Sequence, residues 1–240
     1  MSFIVVDNYH NNIPMKFYTY PLNKCCISDE LRSNNIWEKF LHDTFEKYIT
    51  KDSIVLEGGC HIGSHTLKLA SLCKQLYGFE PLPSSNKLLV DNISINNIDN
   101  VTIFNKGLSN IISKEKYQWI SENNPGGAGL CNNCLGDLSD FRNTIGNEII
   151  NVDLTTIDSL NLDQLDFIKL DIEGYEKYAI EGGINTIKKC KPIITIESWK
   201  SHAGDVDINH TKEEFNMLIE IGYNMHQISG PDFIFIPPNE

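Results

Sequence analysis

The stretch Val55–Ala70, VLEGGCHIGSHTLKLA, constrains the fold more than any other part of the chain. Ser53–Leu56 is a short run of the length that a buried strand takes, and Glu57 ends it. Gly58, Gly59 and Gly63 then let the backbone bend sharply and approach a ligand closely. From Thr66 onward Leu67, Leu69, Ala70 and Leu72 resume as a helix. A strand, a glycine turn and a helix start in that order describe a βα unit of an open α/β sheet, where such a turn marks a ligand site.

The acid selects the ligand. A dinucleotide fold lays its pyrophosphate over this turn, and a carboxylate at Glu57 repels it. The glycine spacing also departs from the G-x-G-x-x-G fingerprint. S-adenosylmethionine carries no phosphate; its ammonium and sulfonium are both cationic, so an acidic strand end suits it. A second short strand, within Leu76–Pro83 (LYGFEPLP), ends in Glu80 about twenty residues on, where a doubly wound fold places the carboxylate that accepts from both ribose hydroxyls. Pro81 and Pro83 stop that strand.

Beyond this unit, short apolar strands alternate with longer amphipathic stretches, which predicts a Rossmann-like α/β fold: a mostly parallel central sheet with helices on both faces. Met15–Tyr20 alternates as part of an N-terminal hairpin. Ser28, Asp29 and Glu30 can cap one helix running through Ile36, Trp37, Phe40, Leu41, Phe45 and Tyr48. A helix over Ser84–Asn96 and a third strand over Val101–Phe104 follow. Residues 110–147 are polar, glycine-rich and weakly periodic, a length of loop that suits an acceptor-binding insertion or surface decoration. Ile149–Leu154 reads as a short strand and Thr156–Leu160 as a helical turn. LDFIKLDIEGYE (Leu165–Glu176) is a strand ending in acids, and Glu176–Lys189 one helix with Gly182 and Gly183 near its middle. PIITIE (Pro192–Glu197) is a further strand. Thr211 and Glu214 suit a capping box, and Tyr223–Ile228 with Asp232–Ile236 form a C-terminal antiparallel hairpin.

Glu57, Glu80, Asp171 with Glu173, and Glu197 therefore all stand at strand ends, where open α/β sheets bind ligands. A ring of carboxylates is costly there unless cations, hydroxyls or a metal satisfy it. Charge narrows the partners further. Twenty Lys and Arg face 32 Asp and Glu, a net charge of −12. That balance disfavours a nucleic-acid substrate and favours a neutral acceptor. No apolar run is long enough to span a membrane. The start MSFIVVDNYHNN lacks the basic region and cleavage site of a secretory signal. Seven cysteines without a framework suit free thiols in a reducing, cytoplasmic setting. Cys131 and Cys134 form a CxxC that is either unpaired, redox-active or half a zinc site, and no second half completes a metal set.

At these residues the chain resembles the FkbM family of S-adenosylmethionine-dependent methyltransferases. The resemblance covers roughly Ile54 to Pro237 and rests on VLEGGCHIGSHTL, YGFEPLP, NVTIFNKGLSN, TTIDSLNLDQLDFIKLDIEGYEKYAIEGG and KPIITIE. FIKLDIEGYE is its most specific block. Glu57 stands where Asp is more usual, Gly58 where an apolar residue is, and His61 where Asn is frequent. The expected organisation is therefore the N-terminal hairpin and helix over 1–50 packed on a methyltransferase domain over 51–240, with an acceptor-side insertion near 110–147. The resemblance implies O-methylation of a sugar, glycan or glycosylated natural product.

Carried over by residue, Glu57, Gly59, Cys60, His61, Gly63 and Thr66 surround the methionine part of S-adenosylmethionine. Glu80 and Pro81 hold the ribose, and Asn105 and Lys106 lie beside the adenine. Asp171 lies near the reactive methyl, either taking the acceptor's proton or positioning the ammonium. Glu173 and Glu197 orient it or join it in holding a divalent cation such as Mg²⁺, although no metal ligand set is expected. His61 and His65 either contact the cofactor or transfer protons. Trp119, Tyr175 and Trp199 either stack on a sugar face or pack, and His202 can reach the acceptor. The partner expected is a small-molecule or glycan acceptor, without nucleic acid or membrane, in a possible homodimer. The competing readings are an RNA ribose 2′-O-methyltransferase, which needs a basic RNA path, and a non-catalytic methyltransferase-fold partner protein, which need not keep the acids.

Overall fold

The computed structural model describes residues 2–10, 13–118, 149–198 and 213–238. Trp119, Cys131, Cys134, Trp199, His202, Thr211 and most of the 110–147 insertion lie outside the described residues. The chain begins with β1 (Ser2–His10), β2 (Ile13–Thr19), α1 (Cys26–Arg32) and α2 (Lys39–Tyr48). It continues through β3 (Ile54–Gly58), α3 (Thr66–Leu72), β4 (Gln75–Phe79), α4 (Pro83–Ile95) and β5 (Val101–Phe104). Next come β6 (Gly107–Leu108), β7 (Ser113–Gln118), β8 (Ile149–Thr155), a short 3₁₀ turn (Asp158–Leu160) and β9 (Phe167–Leu170). The last elements are α5 (Glu176–Glu181), α6 (Ile184–Cys190), β10 (Ile193–Glu197), α7 (Glu213–Glu220), β11 (Asn224–Ser229) and β12 (Asp232–Ile236).

The central sheet has the order β11–β12–β10–β9–β3–β4–β5. β10, β9, β3, β4 and β5 pair in parallel, with Leu56 opposite Tyr77 on one side and Ile168 on the other. β12 runs antiparallel to both β10 and β11 and forms the C-terminal hairpin. From β3 the chain winds outward through β4 and β5, then returns at β9 to the other side of β3 and winds the opposite way. The ends of β3 and β9 thus flank the switch point where such sheets bind ligands.

The two middle strands are buried on both faces, so they read as mostly apolar runs, broken only by the buried Glu57 and Lys169. Leu56, Ile168 and Leu170 pack with Ala179, Ile180, Ile187 and Leu218 of α5, α6 and α7. Val55 and Phe167 turn the other way, onto Phe45 of α2 and Leu69 of α3. Among the described residues no helix is long and apolar enough to cross a membrane.

Three local readings are corrected. The single helix expected from Ser28 to Tyr48 is two, because Asn34 and Glu38 adopt left-handed backbone at φ +61° and +44°. Cys25, not Ser28, caps the first of them: its Sγ accepts from the Ser28 amide at 3.4 Å, while Ser28 Oγ accepts from the Tyr20 amide at 3.2 Å. The single helix over 176–189 is likewise α5 and α6. A Cβ on Gly182 would lie 2.0 Å from the Ser109 carbonyl oxygen, and Asp158 caps α6 from outside by accepting from the Thr186 amide and hydroxyl at 2.8 and 2.7 Å. The insertion also begins with a strand: β7 pairs antiparallel with β8, which pairs in parallel with β6. SKEKYQ has no apolar alternation to announce it.

The β1–β2 hairpin docks on α4 through two asparagines one turn apart. Asn92 accepts from the Tyr18 amide at 2.6 Å and donates to its carbonyl at 3.1 Å. Asn96 does the same for Lys16, at 2.9 and 2.7 Å. The two side chains imitate a neighbouring strand and cover the edge of β2. Asn92 also donates to the Ile62 carbonyl at 2.8 Å, tying hairpin and helix to the glycine turn.

Candidate active site

A cleft of about 290 Å³ opens at the carboxyl ends of the central strands. One wall, built on β3, β4 and their following turns, carries Glu57, Gly59, Cys60, His61, Glu80 and Pro81. The facing wall, built on β9, β10 and the segment before α2, carries Glu38, Lys169, Asp171, Glu173, Tyr175 and Glu197.

On the first wall Glu57 is fully buried. Its Oε2 accepts from Thr66 Oγ1 at 2.7 Å, while its Oε1 has no hydrogen bond among the described residues. Burial pushes this carboxyl up, against the pull of the Lys169 ammonium. An orphaned buried carboxylate oxygen facing a cleft is costly until a cation or donor reaches it. Glu80 is the opposite case. Its Oε2 accepts from the His61 amide at 2.7 Å and its Oε1 from the Leu82 amide at 2.8 Å. One backbone donor on each oxygen fixes the carboxylate plane and leaves further lone pairs on both oxygens for a pair of hydroxyls. Burial lifts Glu80 to about 7 against those two amides.

The turn is shaped to make this possible. His61 sits in left-handed backbone at φ +50°, with its amide on Glu80. Its ring stacks on Tyr20 with centroids 5.8 Å apart, and burial lowers it to about 4, so it is neutral. Gly59 has φ +83°, and a Cβ there would fall 1.8 Å from the Asp171 carbonyl oxygen. Only glycine allows the ends of β3 and β9 to meet.

The facing wall is organised by Lys169, whose ammonium is almost fully buried and lies 3.1 Å from Asp171 Oδ2. Burial alone would depress this ammonium, but Asp171, Glu57 and Glu38 hold it above its ordinary range. Burial would raise Asp171, yet Lys169 and a hydrogen bond from Glu197 bring it down. Glu197 is correspondingly pushed up to about 11 by burial and by Asp171, so this pair holds one proton, on Glu197. Glu173, in left-handed backbone at φ +55°, is raised to about 8 by burial, with Asp171 and Glu176 adding to it. Among the described residues no group of three or more His, Cys, Asp or Glu is arranged to hold a metal ion. The Lys169 ammonium is a cation that these carboxylates surround.

Of the expected site residues, Glu57, Gly59, Cys60, His61, Glu80, Pro81, Lys106, Asp171, Glu173 and Glu197 line the one cleft. Gly63, Thr66 and Asn105 are not part of its lining. Gly63 packs against Leu67 and Leu89, and Thr66 stands behind Glu57. Asn105 donates to the Glu80 and Pro81 carbonyls at 2.8 and 3.1 Å, holding that strand end in place. Tyr175 lines the cleft and also pairs with the Tyr178 ring. His65 lines it too, packed edge-on to Phe45. Sequence reasoning missed Lys169 and Glu38. A lysine flanked by apolar residues in a doubly buried strand demands a buried partner, and FIKLD carried that signal. Glu38 had none.

The family model of the Methyltransferase FkbM domain matches residues 57–228. The chain belongs to the FkbM methyltransferase-domain family. Its fold agrees: the crystal structure of the methyltransferase FkbM from Methylobacillus flagellatus superposes with a TM-score of 0.52 at 16% identity, over 90% of this chain and 48% of that one. An rRNA methylase from Streptococcus thermophilus superposes with a TM-score of 0.44 at 14% identity, over 82% of this chain and 92% of that one. An uncharacterized RNA methyltransferase from Oceanobacillus iheyensis is 33% identical over 89 residues, which is 36% of this FkbM-domain chain and 19% of that protein. The chain therefore spans about half of the first structure and about a fifth of the last protein.

Proposed function

We propose that the chain is an S-adenosylmethionine-dependent O-methyltransferase acting on a hydroxyl of a sugar, glycan or glycosylated natural product. The observation that carries the cofactor is the contrast between Glu57, whose Oε1 is buried without a hydrogen bond, and Glu80, held by two backbone amides. Glu57 suits the cofactor's ammonium and Glu80 its ribose hydroxyls. When bound, S-adenosylmethionine supplies a methyl group already activated on a sulfonium. What remains for the protein is to hold oxygen, carbon and sulfur in line and to keep water out. Asp171, ionised and tied to Lys169, keeps a negative charge in the cleft beside the cationic cofactor, and Glu173 and Tyr175 flank it.

The acceptor class rests on the family, on the net charge of −12 and on a wall dominated by carboxylates. A phosphate-rich polymer is repelled by such a wall. The Oceanobacillus relative, named an RNA methyltransferase, favours the second reading, methylation of RNA. Mass spectrometry of glycans and RNA from the source, with and without the gene, separates the two. Methyl groups that vanish from a glycan support the first reading; methyl groups that vanish from RNA alone overturn it.

A further inference from the structure

Glu38 reaches the cleft from outside the residues, 57–228, that the family model matches. It occupies the residue before α2 in left-handed backbone, φ +44° and ψ +54°, and its side chain caps nothing. A non-glycine residue held there over-determines where its side chain goes, and strain of this kind gathers at functional sites. The carboxylate is turned into the cleft instead, where the Trp37 side chain hydrogen-bonds to it.

Behind Glu38 stands His65. Its ring donates to the Trp37 carbonyl. Its Nε2 is buried, faces the same cleft without a hydrogen bond, and lies 3.5 Å from Glu38 Oε2. Burial keeps the imidazole neutral, so Nε2 is the nitrogen with the free lone pair. The charged and titratable groups facing Glu38 are His65 from the start of α3, Lys169 and Asp171 from β9 and its end, Glu197 from β10 and Asp232 from β12. Burial and Asp171 lift Glu38 to about 7, against Lys169 and the Trp37 hydrogen bond. A base serves best when its pKa lies near the working pH. Asp171, clamped by Lys169 and by the proton on Glu197, does not meet that need.

We propose that Glu38 is the catalytic residue that receives the acceptor's proton, with His65 Nε2 as the positioning group whose lone pair accepts from the Glu38 carboxyl once it is protonated. The acceptor oxygen forms the new O–C bond with the methyl carbon, the C–S bond breaks with its electron pair returning to sulfur, and the hydroxyl proton passes to Glu38. The inference rests on the cofactor reading above and deepens it.

Two probes test it without the acceptor. S-adenosylhomocysteine is neutral at sulfur, whereas sinefungin carries an amine in place of the sulfonium methyl. Calorimetry at pH 6 and pH 8 compares the two on the wild type, E38Q and H65Q. In the wild type the preference for sinefungin rises about tenfold as Glu38 loses its proton. E38Q keeps its S-adenosylhomocysteine affinity and loses that rise, and H65Q shifts its midpoint. An equal rise in E38Q overturns the inference alone. Absence of S-adenosylhomocysteine binding to the wild type overturns it together with the cofactor reading. If E38Q does not fold, carboxyl ¹³C NMR of the wild type decides: a glutamate titrating near pH 7 that responds to sinefungin and not to S-adenosylhomocysteine supports the assignment, and none overturns it.

Discussion

On the β3–β4 wall the two carboxylates are placed by neighbours within twenty residues: Thr66 serves Glu57 nine residues away, and His61 serves Glu80 nineteen away. Across the cleft, Glu38, Lys169, Asp171, Glu197 and Asp232 come from four separate parts of the chain and meet around a single buried ammonium. The first wall holds its two acids with donors that do not titrate, the Thr66 hydroxyl on Glu57 and two backbone amides on Glu80, although burial raises both carboxyls. The second is a set of competing carboxyls whose protons are shared, so its charge follows the solution. A rigid wall suits a cofactor that is the same in every turnover. A titratable wall suits chemistry that must move a proton.

Removing the ammonium is the most severe way to break the second wall. K169M leaves Asp171, Glu57 and Glu38 facing one another without their cation, and costs about 3–5 kcal/mol of stability near pH 8. Denaturant unfolding that shows a loss below about 1 kcal/mol means the acids do not depend on Lys169. The joint between the walls is next. G59A drives a Cβ to 1.8 Å from the Asp171 carbonyl at φ +83°, and destabilises on the order of 3 kcal/mol. An unchanged melting temperature contradicts the close approach.

The comparison also carries a sign in pH. Glu38 and Glu80 at about 7, and Glu173 and Asp232 at about 8, lie above their unfolded values. The folded chain therefore holds protons that the unfolded chain has released, and stability falls as pH rises from about 5 through about 8. Without ligand the protein is more stable at pH 6 than at pH 8, since the opposite pull of His61 and His65, kept neutral by burial, is the smaller. Melting curves that rise with pH across this window contradict the arrangement of acids. The smallest effect lies outside both walls. N92A removes the amide that pairs with Tyr18 and Ile62, and costs about 1–2 kcal/mol by thermal unfolding. No change there means the hairpin does not depend on α4 for its edge.

The same contrast explains what was legible in the sequence. The central parallel strands, the C-terminal hairpin and the acids at strand ends followed from apolar runs and from glycine and proline beside Glu57 and Glu80, because those signals are local. The two split helices were not, since left-handed turns at Asn34 and Glu38 and the Ser109 contact at Gly182 are set by tertiary packing. Asn105 read as a ligand contact because position alone cannot tell a side chain facing the cleft from one holding the strand behind it. Glu38 lies in a segment with no motif and belongs to the site only because α2 begins where it does.

In the proposed reading the buried Oε1 of Glu57 receives the cofactor's cation. Calorimetric titration of S-adenosylmethionine into the wild type and E57Q tests it most directly, since glutamine keeps the shape and the bond to Thr66 while removing the charge. The account predicts binding about 10- to 100-fold weaker in E57Q, matching a charged hydrogen bond of roughly 1.5–3 kcal/mol, with a melting temperature no lower than that of the wild type. Equal affinity for the two proteins would contradict it.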